Sequence, residues 1–185
     1  MDDLDRFEAL ARARRTNLRM DPDRPVDPEL LERLCRLAMW APNHKRTWPW
    51  RFTAITGEAR AKLGEALARW LEGMGESAPK VDKARGKYLR APVMLAVASA
   101  GDDDPLRRAE NRDAVAAGVQ NLLLGATAVG LASYWGTGAV TDVPEVRELC
   151  GFDPGDQLVA LLYLGWPIGD VPVPARPDPV LRIVE

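Results

Sequence analysis

Apolar residues recur at helical spacing in the N-terminal part of the chain. Within residues 2–15 they fall three or four positions apart, which predicts a helix. A second helix should begin at Pro28, because Asp27 is a favourable N-cap and proline fits the first helical position. Its apolar stripe continues towards Pro42, whose ring is expected to stop the helix.

Helical patterns also occupy much of the rest of the chain. One helix is expected over residues 58–72, and the basic stretch 80–88 also has a helical pattern. The longest helical segment is 106–130, after an acidic turn. The pair Thr141-Asp142 is expected to cap a short helix that ends at Cys150-Gly151.

Four stretches have the pattern of β-strands. Residues 51–56 alternate between two faces, and a further short strand is expected within 130–136. Residues 92–99 and 157–165 are almost continuously apolar, which predicts strands buried on both faces. Interspersed helices and strands indicate an α/β or α+β layered architecture.

Length and composition favour one globular domain over residues 1–185. The 185 residues are 46% apolar and 28% charged, which is ordinary for a folded protein. The last part, residues 166–185, carries five prolines and is expected to be an extended extension packed on another surface. There is no internal repeat and no flexible linker.

Charge and cysteine content exclude several classes of protein. The 25 Lys and Arg residues against 27 Asp and Glu residues give a net charge of −2, which disfavours a duplex-DNA binder with a basic face. Two cysteines are too few for a disulfide scaffold or a structural zinc site, and no metal site is expected. No apolar run approaches the roughly 20 residues of a membrane span, and no signal-peptide core begins the chain. A cytoplasmic protein is the default expectation.

Common catalytic motifs are missing from the sequence. His44 is the only histidine, which excludes two-histidine metal motifs, and there is no G-x-S-x-G or P-loop sequence. Residues 136–138 lack the third glycine of a dinucleotide fingerprint. These absences fit a binding protein, or an enzyme whose chemistry belongs to a bound cofactor.

Two segments carry candidate binding residues. Arg14, Arg15, Thr16 and Arg19 could hold phosphate oxygens, although they could also be a solvated helix end. The segment 40–51 alternates Trp, His and cationic residues between prolines. It could line a pocket for a flat ring, bind single-stranded nucleic acid, or anchor the loop in the core, which is the expectation for Trp50.

Two further segments suggest close backbone approach. The helix 106–130 has small residues around much of its circumference, so it should be central in the core or in a dimer. Trp135, Gly136, Thr137 and Gly138 end a strand with two glycines, which would allow backbone N–H groups to approach a ligand. An ordinary turn explains this second segment nearly as well.

Five segments in the same order resemble the nitroreductase family of flavin-dependent NAD(P)H oxidoreductases, especially its small bacterial members. They are an N-terminal R-R-T, an A-P…P-W segment, a long helix rich in small residues, a W-x-T-G turn and a strand ending in L-G-x-P. Here these lie at 14–16, 41–50, 113–130, 135–138 and 163–167. The resemblance covers about residues 10–168.

The resemblance implies an α+β homodimer with a central mixed sheet flanked by helices, and a long central helix at the dimer interface. It also implies FMN at the subunit interface, with NAD(P)H as co-substrate and a nitroaromatic or quinone as electron acceptor. Arg14, Arg15 and Thr16 would hold the FMN phosphate and ribityl chain, with Arg19 nearby. Trp40 and His44 would approach from the partner chain, and His44 could donate a proton. Trp135, Gly136, Thr137 and Gly138 would lie along the flavin ring.

Two positions depart from the family pattern. Trp48 stands where many members have Gln, and Arg46 stands where many have Asn. Arg46 would place a positive charge near the flavin or meet the phosphate of NADPH. Two other hypotheses stay open from the sequence: a flavin-binding protein without turnover, and a single-strand nucleic-acid binder that uses residues 40–51.

Overall fold

The N-terminal helices form where their capping residues are placed. In the computed structural model, which describes residues 2–185, α1 spans Asp3–Ala13 and α2 spans Pro28–Ala38. The Asp27 carboxylate accepts a hydrogen bond from the Glu29 backbone N–H at 2.9 Å, so the predicted N-cap is confirmed. Helix α2 ends at Ala38, before the proline that was expected to stop it.

Four more helices follow, and one sequence prediction about their caps is wrong. Helices α3, α4, α5 and α6 span Ala59–Gly73, Ala78–Arg85, Pro105–Ala128 and Pro144–Leu149. Thr141 and Asp142 do not cap α6, because they belong to a separate 3₁₀ helix and Val143 precedes α6 without a side-chain cap. The Thr141 hydroxyl donates to the carbonyl of Gly138 at 2.8 Å, so it closes this tight turn instead.

The four strands form one sheet in the order β1-β2-β4-β3. They span Trp50–Thr56 (β1), Val93–Ser99 (β2), Ala132–Gly136 (β3) and Gln157–Gly165 (β4), and every neighbouring pair is antiparallel. The expected mixed pairing is limited to one parallel bridge between Thr16 and Ser133 at the sheet edge. Helix α5 connects β2 to β3, and these two strands run in the same direction. Strand β4 lies between them and pairs with both in the opposite direction.

Apolar clusters cover both faces of the sheet. Helices α3 and α4 pack on one face, and α2 and α5 pack on the other. All seven residues of β2 are buried, as its continuous apolar pattern predicted. Burial of each large aliphatic side chain contributes about 1.5–3 kcal/mol, so the two clusters fix the sheet on which the candidate site is built.

The small residues of α5 allow α2 to pack closely. A Cβ atom on Gly118 would lie 2.5 Å from the carbonyl oxygen of Ala38, and one on Gly125 would lie 2.5 Å from Leu37. The central position of α5 was therefore predicted correctly, and glycine provides the space for α2. Among the described residues, no helix is long and apolar enough to cross a membrane.

Both chain ends expose apolar residues. Helix α1 has no buried residue, and Leu4 and Phe7 are 66% and 56% exposed. Residues 172–185 are all exposed, including the apolar side chains of Val180 and Leu181. The packing surface expected for this extension is therefore provided by its own chain only at the start, where Arg19 and Asn17 contact residues 168–170, and not for residues 172–185. Apolar surface of this kind marks a site of association.

Candidate functional site

The Arg14–Thr16 segment lies along the edge strand of the sheet. After α1 ends, Thr16 bridges to Ser133 of β3, and the Asn17 backbone N–H donates to the Ser133 carbonyl at 2.9 Å. The same strand leads directly into Trp135. The fold thus places the N-terminal arginine motif and the Trp135–Gly138 segment on one edge strand.

Arg14 and Arg15 lie next to this strand, and Arg176 is close enough for its positive charge to act on Arg14; the three are called the arginine cluster below. Burial lowers the pKa of Arg14, and the positive charges of Arg176 and then Arg15 lower it further. The Nε atom of Arg15 is buried without a hydrogen-bond partner, while its Nη1 donates to the Arg14 carbonyl at 2.7 Å. Within residues 2–185, none of the three forms an ion pair with a carboxylate. Arg14 and Arg15 are partly buried and Arg176 is exposed. Cations that repel one another and leave a buried donor unused favour a bound anion.

Arg176 was missed by the sequence reasoning. It stands in the proline-rich extension, far from the R-R-T motif along the chain, so only the fold brings it close to Arg14. The sequence contained only a weak indication that Arg176 matters: Arg176 and Arg182 are the only cationic residues after position 170.

A cleft of about 330 Å³ opens beside Arg15. Thr127, near the C-terminal end of α5, lines one part of the cleft, and residues between 167 and 173 line another. Asn17 borders the same cleft, and its side-chain amide donates to the Gly169 carbonyl at 3.2 Å. The buried Asn17 side chain therefore fixes the start of the C-terminal extension next to the arginine cluster.

Arg19 is engaged in a different contact from the other arginines. Its guanidinium donates to the Asp170 carbonyl at 3.2 Å and packs so closely on Gly169 that a Cβ there would lie 2.9 Å from Cζ. Its own carbonyl accepts from the Ile168 N–H at 2.9 Å. Arg19 thus holds the extension in place, and the structure does not join it to the arginine cluster.

The Trp135–Gly138 segment combines a partly buried indole with an exposed backbone. Trp135 packs against the cluster formed with α2 and α5, and its Nε1 donates to the Val159 carbonyl at 3.4 Å. Gly136 is buried, whereas Thr137 is exposed and Gly138 adopts a φ of 98°. This positive φ favours glycine and turns the chain sharply away from the sheet, which leaves the backbone at 137–138 accessible.

The loop between α2 and β1 presents its side chains to solvent. Trp40 is 83% exposed and Trp48 is 55% exposed, and His44 and Arg46 are also exposed. By contrast, Trp50 is only 6% exposed, so its predicted anchoring role is confirmed. The rings of Trp48 and Trp50 lie 6.4 Å apart, which joins the exposed loop to the core.

Three residues of this loop have left-handed backbone conformations. Lys45, Arg46 and Trp48 have φ values of 59°, 53° and 51°, although none is glycine. Such conformations cost about 1–3 kcal/mol each and persist only where the surroundings impose them. Strained residues concentrate at functional sites, so this loop is a strong candidate for ligand contact.

A polar network that the sequence reasoning missed bridges the strained part of this loop. Asn43 accepts a hydrogen bond from the Trp48 N–H at 2.9 Å and donates to the Thr47 hydroxyl at 3.0 Å. That hydroxyl donates to the Oδ1 atom of Asn111, a residue of α5 that is 3% exposed. One feature of the sequence could have revealed this network: Asn111 is a polar residue on the face of α5 that also carries Ala114, Val115 and Gly118.

In one chain, the loop and the arginine cluster lie near opposite ends of α5. Thr47 contacts Asn111, whereas the cleft beside Arg15 is lined by Thr127. These α5 residues are 127 − 111 = 16 positions apart, or about 24 Å at the helical rise per residue. The loop and the arginine cluster are therefore far apart within one chain.

Comparisons with known proteins agree on one family. The model of the Nitroreductase family matches residues 11–166. The chain belongs to the nitroreductase family. The Escherichia coli (strain K12) protein YdjA, provisionally named an NAD(P)H nitroreductase, is 34% identical over 140 residues, which are 75% of this chain and 76% of YdjA. The resemblance inferred from the five sequence segments is thus confirmed.

Solved structures of nitroreductase-like proteins have the same fold. A nitroreductase-like family protein from Bacillus cereus superposes with a TM-score of 0.82 and is 28% identical, covering 96% of this chain and 95% of that one. A Bacteroides fragilis nitroreductase with bound FMN has a TM-score of 0.78 at 18% identity, with all of both chains covered. The nitroreductase family match ends at Trp166, so Arg176 lies outside it.

Proposed function

We propose that this nitroreductase-family chain is an FMN-dependent NAD(P)H oxidoreductase that acts as a homodimer. Electrons would pass from a nicotinamide nucleotide to an electrophilic acceptor of the nitroaromatic or quinone type. The observation that carries the proposal is the buried, unpartnered Nε atom of Arg15 beside Arg14, in a cluster of cations with which no carboxylate of residues 2–185 pairs.

The arginine cluster fits the phosphate group of FMN. A phosphate dianion would relieve the repulsion between the guanidinium groups and would supply an acceptor for the buried Arg15 Nε. Thr16 is exposed next to the cluster and its hydroxyl could contact the ribityl chain. The FMN-bound Bacteroides fragilis relative supports this choice of cofactor.

A second copy of the chain would complete the site. The loop with Trp40, His44 and Arg46 is exposed and strained, yet it lies at the other end of α5 from the cluster. The exposed apolar residues Leu4 and Phe7 of α1 provide surface that association would bury. The loop of one subunit would then meet the arginine cluster of its partner.

Bound FMN would supply reversible two-electron chemistry between the nucleotide and the acceptor. The chain's own residues would orient the reactants and stabilise charge. Trp40 and Trp48 offer flat surfaces for stacking, and Arg46 would favour negative charge near the ring. His44, exposed on the same loop, would donate a proton to the acceptor. The accessible backbone at Thr137 and Gly138 would contact the ring edge.

An absorbance spectrum of the purified protein tests the cofactor, and a reduction experiment tests the reaction. We expect a yellow protein, or one that becomes yellow after incubation with FMN. Anaerobic NADPH or NADH should bleach the flavin absorbance, and a quinone should restore it. A yellow protein that neither nucleotide reduces would be a flavin carrier. A colourless protein with salt-sensitive affinity for oligonucleotides would support the nucleic-acid hypothesis instead.

The Arg14→Ala variant tests the phosphate assignment directly. Loss of a hydrogen bond to a charged group should weaken FMN binding by about 1.5–3 kcal/mol, or roughly 10- to 150-fold. The matched control is Arg33→Ala, an exposed arginine on α2 away from the cluster. Equal FMN affinities in a fluorescence titration of the two variants would show that the assignment is wrong.

A further inference from the structure

The hydroxyl group of Thr47 is at the centre of the network that holds the α2–β1 loop. It accepts a hydrogen bond from Asn43 and donates one to Asn111, so both of its usual functions are occupied. Asn43 also accepts from the Trp48 backbone N–H. The network therefore spans the loop from one side to the other and ends in the core.

The strained residues all lie within the segment that this network closes. Lys45 and Arg46 lie between Asn43 and Thr47, and Trp48 follows directly. The side chains of Lys45 and Arg46 are exposed, so packing of those two side chains does not explain their left-handed backbone. Asn111 is buried on the rigid helix α5 and provides a fixed point for the loop.

We propose that Thr47 is a positioning residue, which with Asn43 and Asn111 fixes the loop that presents His44, Arg46 and Trp48 to the substrates at the partner subunit's flavin. This inference rests on the proposed function. The loop would be held ready in the free protein, so that substrate binding does not have to order it. The placement of both family departures, Arg46 and Trp48, would then depend on Thr47.

The inference predicts a specific kinetic pattern. Loss of the Thr47 hydroxyl should raise the KM for NAD(P)H and for the acceptor about fivefold, the factor that corresponds to one hydrogen bond. The kcat should change less, since substrate that does bind still reaches the same flavin. FMN affinity should change less than the KM values, because the arginine cluster of the partner subunit, and not the loop, would hold the FMN phosphate.

The experiment compares Thr47→Val with Thr47→Ser in FMN-loaded protein. Valine keeps the shape of threonine and removes the hydroxyl, whereas serine keeps the hydroxyl. Asn43→Ala is a second variant, which breaks the network at the half-buried Asn43. It is included because valine next to the buried Asn111 could impair folding. KM, kcat and the FMN dissociation constant are measured for each.

Limited trypsin digestion supplies a readout that does not depend on activity. Lys45 and Arg46 are exposed cleavage sites, and their cleavage rate reports how often the loop opens. We expect Thr47→Val and Asn43→Ala to be cut in this loop about fivefold faster than the original protein. Thr47→Ser should be cut at the original rate and should keep the original KM values.

Each outcome decides one part of the inference. Equal cleavage rates for Thr47→Val and Thr47→Ser would overturn the claim that the network holds the loop. Faster cleavage with unchanged KM values would overturn the positioning role. If the original protein binds FMN but does not oxidise NAD(P)H, the proposed function fails and the kinetic claim fails with it. The cleavage comparison then still decides whether Thr47 fixes the loop.

Discussion

Gly118 of α5 provides a stringent test of how the two helices above the sheet are packed. A Cβ atom at this position would lie 2.5 Å from the Ala38 carbonyl oxygen and 2.6 Å from Nε1 of Trp50. The first atom belongs to the backbone of α2, and the second belongs to a buried ring whose neighbour Trp48 is in the candidate site. Gly118→Ala should therefore push α2 away from α5 and disturb the loop.

The cost can be estimated from the distances. The added carbon would be about 0.9 Å short of the 3.4 Å at which ordinary contact begins, so backbone has to move. Overpacking costs about 1–3 kcal/mol, and we expect about 2–3 kcal/mol here because a backbone atom has to move; alanine recovers about 1 kcal/mol through its higher helix propensity. We expect Gly118→Ala to lower the free energy of unfolding by roughly 1–2 kcal/mol.

Gly125 is the matched control in the same helix. There the closest atom to a Cβ would be a terminal methyl group of Leu37, which is 40% exposed and can rotate away, and the next would be a methyl group of Leu34 at 3.0 Å. The overpacking is therefore milder than against backbone, and the propensity gain should dominate. Thermal unfolding of the FMN-free variants at one protein concentration should show Gly118→Ala about 2–8 °C below the original protein. Gly125→Ala should lie at or above it. Equal or raised midpoints for both variants would refute the predicted packing.

Three other predictions concern the extension, the sheet and the thiols. Arg176→Ala should weaken FMN binding about tenfold in a titration, while Arg182→Ala, also in the extension, should not, because only Arg176 lies near Arg14. Thr53→Val should cost about 1 kcal/mol in urea unfolding, since its hydroxyl donates to the Cys150 carbonyl at 2.7 Å, and Thr53→Ser should cost less. Burial raises the pKa of the Cys35 and Cys150 thiols to about 11, so labelling by a disulfide reagent at pH 8 should be slow until the protein unfolds. Because folding raises these pKa values, the free energy of unfolding should decline as the pH rises from 9 towards 11. Rapid labelling of the native protein at pH 8 would contradict the raised thiol pKa values.

Local patterns in the sequence determined the positions of the helices and strands. Three such patterns are the Asp27-Pro28 helix start, the continuous apolar run of β2 and the glycines of α5. Each depends on neighbouring residues or on the burial of a single element, so each can be recognised without knowledge of the fold. The order of five short segments likewise identified the nitroreductase family. The incorrect cap at Thr141-Asp142 failed because the hydroxyl had a closer partner in Gly138.

Contacts between distant parts of the chain were decided by the tertiary structure alone. Insertion of β4 between β2 and β3 made the sheet antiparallel, and no local pattern encodes that order. Arg176 joins Arg14 across more than a hundred and fifty positions of sequence, and Asn111 reaches Thr47 from another element. Such pairs depend on how helices and loops are arranged in space, because charge and hydrogen bonding act over distance and not over sequence separation. The sequence supplied the candidate groups, and folding determined which of them can act together.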